Sequence, residues 1–440
     1  MASSAHRTIG ITVLGSGVIG GGVAALLLQQ RKLLRDRTGL DFVLRHVAEL
    51  DTKKHDVPGA PYCTDGAAAI DDPETDVVVE LIGGTKVAGE FIERALRLGK
   101  PVVTANKSLL ALRGPELFKL AKKHDTCISF EASCAGGIPV INALIHGLVA
   151  NRIEALLGIV NGTCNFILTQ MTRRGLSYPQ ALAEAQKAGF AEADPTLDVG
   201  GRDAAQKLAI LASLAFNTRV TEADIHVTGI DSLEEADLKF AGELEYVIKL
   251  LAIAERKEKE KISLRVHPTL VHKSDLLAEV SGSFNAVSVY GHSVGHVLFY
   301  GRGAGRTPTA SAVVSDIVQV GLGIAPLAFK QLNLLAGNGA VTILPFEELR
   351  CRYYLRLTAR DEPGVLAQVT KILGSHKISL SAVLQKETSQ SKFVPVVITT
   401  HLAREGDVQA ALRQINKLKS LKPPAVCLRI MEPPREFGGG

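Results

Sequence analysis

Between Glu192 and Lys207 the chain gathers four carboxylates, Glu192, Asp194, Asp198 and Asp203, together with Arg202 and Lys207. Pro195, Gly200 and Gly201 interrupt the run, and a strongly apolar stretch follows it at once. A helix starting near Asp203 turns every 3.6 residues, so Asp203 and Lys207 stack at i and i+4 on one face. Ile210, Leu211 and Leu214 continue that face, while Arg202, Gln206 and Ser213 project from another side, which puts the pair in line with the buried stripe. Loss of hydration there disfavours the ammonium and should bring the lysine pKa down from about 10.4 toward a useful proton donor's range. The plainer reading of the same spacing is an exposed helix pair contributing roughly 0.2–0.5 kcal/mol.

A second chemical signal lies near the start. Residues 9–14 (IGITVL) form a short β-branched run, then come Gly15, Ser16, Gly17, Val18, Ile19 and Gly20, then GGVAALLLQQ of helical character. Strand, glycine turn and helix is the context a dinucleotide fingerprint requires. Gly15 would make the tight turn, Gly17 admit the pyrophosphate and Gly20 pack helix on strand, with phosphate charge at the helix N-terminus. Strands expected at 42–49, 77–82, 101–104 and 127–130, with helical patterns between several of them, make this a doubly wound domain. Cofactor choice is read after the second strand, in ELDTKKH. Glu49 and Asp51 suit the ribose hydroxyls of NAD, whereas Lys53 and Lys54 could take the phosphate of NADP, and both stay open. Lys107, ending VVTANK, either faces the crevice at a strand's carboxyl end or merely starts the next helix. Gly303 and Gly305 form a second glycine turn before a helix that returns to the nucleotide domain at 307–323; they approach the cofactor or simply turn the chain.

The elements that must position these groups come next. From 152 to about 300 the pattern mixes strands (155–160, 263–271, 286–289, 294–300) with helices (166–173, 179–188, 204–216 and near 243–255), an α+β domain. RKEKEK at 256–261 alternates in sign, as a solvated helix end does. From 352 to 431 a separate unit reads strand, helix, strand, strand, helix, strand, the ferredoxin-like order. The expected division is therefore α/β and α+β multidomain: a Rossmann-type nucleotide domain at 1–135, an α+β domain at 136–325, a linker at 326–350, a ferredoxin-like unit at 351–432 and a disordered tail at 433–440.

Length and composition set the bounds. At 440 residues there is room for about three cores. An apolar fraction of 46% and a charged fraction of 22% are those of an ordinary globular chain. The net charge of +5 is spread without a basic block, which argues against nucleic acid or anionic membrane as partner. The cysteines at 63, 127, 134, 164, 351 and 427 include no CxxC pair, and MASSAHRT carries no apolar signal core, so a cytoplasmic location is expected.

Taken together, Asn161, Gly162, Thr163 and Asn165, then Ala193, Asp194, Pro195 and Asp198, then Gly201, Asp203, Ala204 and Lys207 resemble the signature of the homoserine dehydrogenases, and ARDEPGVLAQV resembles the opening of an ACT domain. The resemblance implies reversible, NAD- or NADP-dependent interconversion of homoserine and aspartate 4-semialdehyde, on the route to threonine, methionine and isoleucine. It implies that 136–325 is a catalytic and dimerisation domain and 351–432 a regulatory one, that Lys207 and Lys107 are catalytic, that Glu192, Asp198 and Asp203 hold substrate, and that Thr104 and Gly189 join Lys107 beside the cofactor. It also implies a sodium or potassium ion of structural role on Glu131 and the carbonyls of Cys134, Gly136 and Ile138, hard donors for a hard cation. Asp361, Glu362, Gly364, Val365 and Leu366 would face an amino-acid effector, threonine by analogy, in a homodimer or homotetramer. Two rivals remain: a phosphorylating semialdehyde dehydrogenase with Cys164 as nucleophile, and a non-catalytic sensor binding a nucleotide and an amino acid.

Overall fold

The computed structural model describes residues 6–51, 57–258, 260–332, 341–385 and 392–434. Lys53, Lys54 and the tail from residue 435 lie outside them.

The strand Arg7–Leu14 is buried from Ile9 onward, as a β-branched run covered on both faces should be. It pairs in parallel with Leu40–Ala48 on one side and Val77–Glu80 on the other. Val102–Thr104 and Ile128–Ser129 extend the sheet beyond Val77–Glu80. A short strand that the sequence pattern did not announce, Tyr62–Cys63, closes the other edge. Counted along the chain the order is 3-2-1-4-5-6, so the strand order reverses beside Arg7–Leu14. In a doubly wound sheet the ligand crevice opens at that switch point. Helix Arg306–Gly321 returns to this domain and packs on helix Val18–Thr38.

A second, mixed sheet runs from Gly295–Arg302 through Phe284–Gly291, Ile153–Ile159, Tyr246–Glu258 and Lys261–His272. Helices Gly162–Arg174, Tyr178–Lys187 and Arg202–Phe216 belong to this part of the chain. The helix expected near 243–255 is not there. Helix Glu235–Glu243 ends first, Glu245 turns the chain in the left-handed region at φ 65, and Tyr246–Glu258 is a strand. Its Leu and Ala content looks helical, but its interior is buried beside an antiparallel neighbour, and packing overrides propensity. Arg256, Lys257, Glu258 and Lys261 of RKEKEK accordingly belong to the antiparallel strands Tyr246–Glu258 and Lys261–His272, not to a helix end.

The last unit has the order strand Arg350–Arg360, helix Val365–Ser375, strands Leu380–Gln385 and Phe393–Thr400, helix Glu405–Ile415 and strand Leu421–Ile430, with a two-residue strand at Ala403–Arg404. It has its own core around Tyr353, Leu355, Val369, Ile398 and Val408. The expectation of a separate unit needs correction, however. Thr269 and Leu270 pair in parallel with Arg429 and Ile430, so the two sheets are one sheet of twelve strands. Across the joint, buried Arg356 holds buried Asp237 through Nε at 2.6 Å and Nη2 at 3.0 Å. The stretch read as linker begins inside helix Ile324–Gln331, and its strand Thr342–Ile343 pairs with Lys261 and Ile262. Among the described residues no single helix is long and apolar enough to cross a membrane.

Candidate functional site

A cleft of about 550 Å³ lies between the nucleotide domain and the mixed sheet. Ile19, Ala105 and Lys107 line one side, while Asn161, Asp198, Asp203 and Lys207 line the other.

Asp203 sits at its centre, buried. Its Oδ2 accepts from Lys207 Nζ at 2.8 Å and from Asn161 Nδ2 at 2.8 Å, and its Oδ1 lies 3.2 Å from Lys107 Nζ. Lys207 Nζ donates a second bond to the Val160 carbonyl at 2.7 Å. The two lysines reach one carboxylate from different domains because their helices touch: Ser108 Oγ, one residue after Lys107, donates to Oε1 of Gln206, one residue before Lys207, at 3.0 Å. Ser213, assigned above to the wet side, is buried and donates to the Ala209 carbonyl instead.

Burial works against ionisation of Asp203, but the charges of Lys207 and Lys107 outweigh it and hold the pKa at about 2. For Lys207 the expectation of a lowered pKa is reversed. Burial does push it down, yet Asp203 at contact distance pushes it up further, and the net shift is upward. Asp198, with burial its leading influence, is raised.

Asn161 is the hub that the sequence reading missed. Its Oδ1 accepts from Cys164 N at 2.8 Å and so caps helix Gly162–Arg174, and its Nδ2 reaches both Asp198 Oδ1 at 2.7 Å and Asp203 Oδ2. The signal was present in NGTCN, since an Asn three residues before a helical N–H is a capping position.

The three glycines of the turn differ in their surroundings. Gly15 has φ +92, a Cβ on Gly20 would lie 1.8 Å from the Gly15 carbonyl oxygen, and a Cβ on Gly17 would meet nothing within 4 Å. Gly17 thus leaves open space at the N-terminus of helix Val18–Thr38. Ile19 lines the cleft, whereas Val18 is exposed. Glu49 accepts from Ser16 N at 2.8 Å, which brings the acidic end of the second strand against this turn. Gly189, Gly303 and Gly305 line the cleft, and Gly136 meets Gly303 so closely that a Cβ on Gly136 would be 2.4 Å from the Gly303 oxygen.

Two expected residues stand apart. Thr104 is fully buried and donates to Glu80 Oε2 at 2.7 Å while accepting from Asn106 N, so it braces the loop behind the cleft without lining it. Glu192 is exposed and outside the cleft wall, although its neighbours Gly189 and Phe190 are in it. Cys164 is buried, its Sγ lies 3.2 Å from the Asp198 carbonyl oxygen, and burial raises its pKa well above the usual thiol range. A thiol so placed is no thiolate nucleophile.

Glu131 is buried and accepts from Ile141 N, Asn142 N and Asn142 Nδ2. Asp316 accepts from Glu131 N at 2.9 Å, and burial lifts its pKa to about 8. The turn following Glu131 carries left-handed residues at Ala135 and Gly136, and the Ile138 carbonyl accepts from Val140 N. In the C-terminal unit Asp361, Glu362, Gly364, Val365 and Leu366 line a pocket of about 330 Å³ together with Arg360.

Three family profiles match the chain: homoserine dehydrogenase over residues 139–318, homoserine dehydrogenase NAD binding domain over residues 15–131, and ACT domain over residues 353–420. A homoserine dehydrogenase of Neisseria gonorrhoeae is 42% identical over 430 residues, covering 96% of this chain and 99% of that protein. That of Helicobacter pylori is 41% identical with the same coverage. A solved homoserine dehydrogenase from Thiobacillus denitrificans superposes with a TM-score of 0.91 at 42% identity, over 98% of this chain and 99% of the other.

Proposed function

The chain belongs to the homoserine dehydrogenase family, oxidoreductases with an NAD-binding domain and here an ACT domain, and from that premise we propose how its residues divide the work. A nicotinamide cofactor bound at the glycine turn supplies or accepts the hydride. When hydride reaches the aldehyde carbon of aspartate 4-semialdehyde, the carbonyl oxygen gains an electron pair and needs a proton. Lys207 donates it, giving homoserine, and takes it back in the reverse direction. The observation that carries this reading is the meeting of Lys207 and Lys107 on Asp203 inside a cleft shared with the nucleotide domain.

Lys207 is preferred to Lys107 because it is the more deeply buried and is fixed by two hydrogen bonds. Lys107 orients substrate or relays the proton. Asp203 and Asp198 face the substrate's ammonium, and Glu192, exposed two residues beyond the cleft residue Phe190, is the outermost of this group of carboxylates.

An alkali ion of structural role fits beside Glu131. Its carboxylate uses three of about four acceptor positions on N–H donors. The second buried carboxyl, Asp316, whose pKa burial raises to about 8, has no lysine or arginine among the lining residues of the adjoining cavity, and a bound cation there would be what draws it into its ionised form. Among the described residues no three His, Cys, Asp or Glu side chains converge, so Cys134, Gly136 and Ile138 would contribute through their carbonyls.

The ACT pocket receives an amino-acid end product, threonine, that modulates turnover of a dimer or tetramer. Six free cysteines accord with a cytoplasmic enzyme of threonine, methionine and isoleucine synthesis.

One assay tests these readings. Initial rates of homoserine oxidation are measured with NAD and NADP in turn, in potassium or tetramethylammonium chloride, with and without threonine. Turnover with at least one cofactor, higher rates in potassium and a saturable threonine effect are expected. Protein that binds cofactor yet never turns over would refute the catalytic reading. Rates indifferent to the cation, or to threonine, would remove the corresponding part.

A further inference from the structure

Asn165, the last residue of the signature that begins at Asn161, is not among the residues that line the cleft. It is buried near the start of helix Gly162–Arg174, and its Nδ2 donates to the carbonyls of Val280 at 3.2 Å and Phe284 at 3.0 Å, the two ends of the loop 280–284. Thr169 and Arg173 follow Asn165 at four-residue intervals on the same face of the helix. The Thr169 hydroxyl donates to the Asn165 carbonyl and accepts from Gly282 N at 3.0 Å, while Arg173 Nη2 donates to Ser281 Oγ at 2.9 Å. One helix face therefore grips Val280, Ser281, Gly282 and Phe284, and passes over Ser283 alone. Ser283 is the member of the loop that lines the cleft.

A second group grips the same loop. Lys249, in strand Tyr246–Glu258, is buried, and its Nζ donates to the Val280 carbonyl at 2.5 Å and approaches Asn165 Oδ1 at 3.5 Å. No carboxylate forms an ion pair with it among the described residues. Burial, helped by the Arg173 charge, brings its pKa down to about 8, so at neutrality the amine is still mostly charged. A buried ammonium without a counter-ion is costly, and what this one supplies is a charge-assisted bond, stronger than an amide can make.

The place where Ser283 is held matters for the chemistry. A Cβ on Gly162 would lie 2.8 Å from the Ser283 carbonyl oxygen, so the loop rests on the residue next to Asn161, whose amide reaches Asp198 and Asp203. The Ser283 hydroxyl itself has no hydrogen-bond partner among the described residues.

We propose that Asn165 and Lys249 are positioning residues, which fix the loop 280–284 so that the Ser283 hydroxyl donates to the α-carboxylate of the substrate. An amino acid carries its carboxylate on the same carbon as its ammonium, so a donor beside the aspartates that face the ammonium is within reach of it. This rests on the reading of the cleft as the site of homoserine and its semialdehyde.

The test is the steady-state rate of homoserine oxidation by the full chain, with the better of NAD and NADP at saturation. Binding of the reduced cofactor is followed separately by its fluorescence. Ser283→Ala should raise the homoserine KM about fivefold, the worth of one hydrogen bond, and leave kcat within about twofold, as loss of uniform binding does. Lys249→Met, which keeps the bulk of the stem, should do the same with cofactor affinity unchanged. The double variant Lys249→Met, Ser283→Ala should lie within about twofold of either single one, because both act at one contact. A purely structural role predicts instead that kcat and cofactor affinity fall along with KM, or that the two effects multiply, and either result overturns the proposal. So does a parental KM in Ser283→Ala, even if Lys249→Met does not fold. A parent protein that binds cofactor without oxidising homoserine would refute the catalytic reading instead.

Discussion

Lys207→Ala lowers the turnover of homoserine oxidation by roughly 10²–10⁴-fold, the range expected when a positioned proton-transfer group is removed. The substitution takes away the amine that meets Asp203 Oδ2 at 2.8 Å and leaves Asp203 with the Asn161 amide and the Lys107 cation. Lys207→Arg separates charge from proton transfer: it keeps a cation beside Asp203, but guanidinium does not deprotonate in proteins. It should therefore be almost as slow as the alanine variant while binding cofactor normally. The pH profile carries the sign. Asp203 raises the Lys207 pKa, so the resting amine is charged at neutrality and ready to donate during aldehyde reduction. Homoserine oxidation needs the neutral amine and should accelerate as pH rises through the alkaline range. Asp203, held at about 2, stays ionised throughout; the stability its ion pairs contribute is complete above its unfolded pKa of about 3.9 and is lost only as pH falls toward 2. A Lys207→Ala enzyme within tenfold of the parent would move the proton to Lys107.

Arg356→Ala should cost about 3–5 kcal/mol of stability, because it strands Asp237 as a buried, unpaired carboxylate. Asp237 is fully buried, and besides the two Arg356 bonds it accepts from Glu234 N at 3.2 Å and is approached by the Tyr354 hydroxyl at 3.4 Å, so Arg356 is the one charge among these partners. The measurement is the urea midpoint of the full chain, read by fluorescence of a dye attached to the ACT unit and by homoserine oxidation. The double change Arg356→Met, Asp237→Leu should recover most of the loss, since a well-packed apolar pair often replaces a buried ion pair without penalty. A single variant as stable as the parent would mean that water already reaches Asp237.

Much of this was legible in the sequence because the signals were local. The Gly15, Gly17 and Gly20 turn, the Asp203–Lys207 spacing and the ferredoxin-like order of the C-terminal unit all follow from short-range geometry. What was not legible depended on partners distant in the chain. The lysine's pKa could not be signed without knowing how near Asp203 and Lys107 would come. Tyr246–Glu258 looked helical because its burial between two strands is a tertiary fact. Thr104 stood at the right strand end, but Glu80 claims its hydroxyl. Asn161 lay in view as a motif letter, and only the fold revealed that one amide caps a helix and spans two aspartates.

The joint at Thr269–Arg429 and Leu270–Ile430 also bears on what the ACT unit can be separated from. A chain ending before Thr342 would lose both Thr342–Ile343 and Leu421–Ile430, and of the partners along that side of Lys261–His272 only His226–Val227 would remain among the described residues. A bare strand edge of this kind invites other chains to pair with it. The ACT unit thus doubles as a cover for that edge of the catalytic sheet, and a chain lacking the unit would have to finish the edge in some other way.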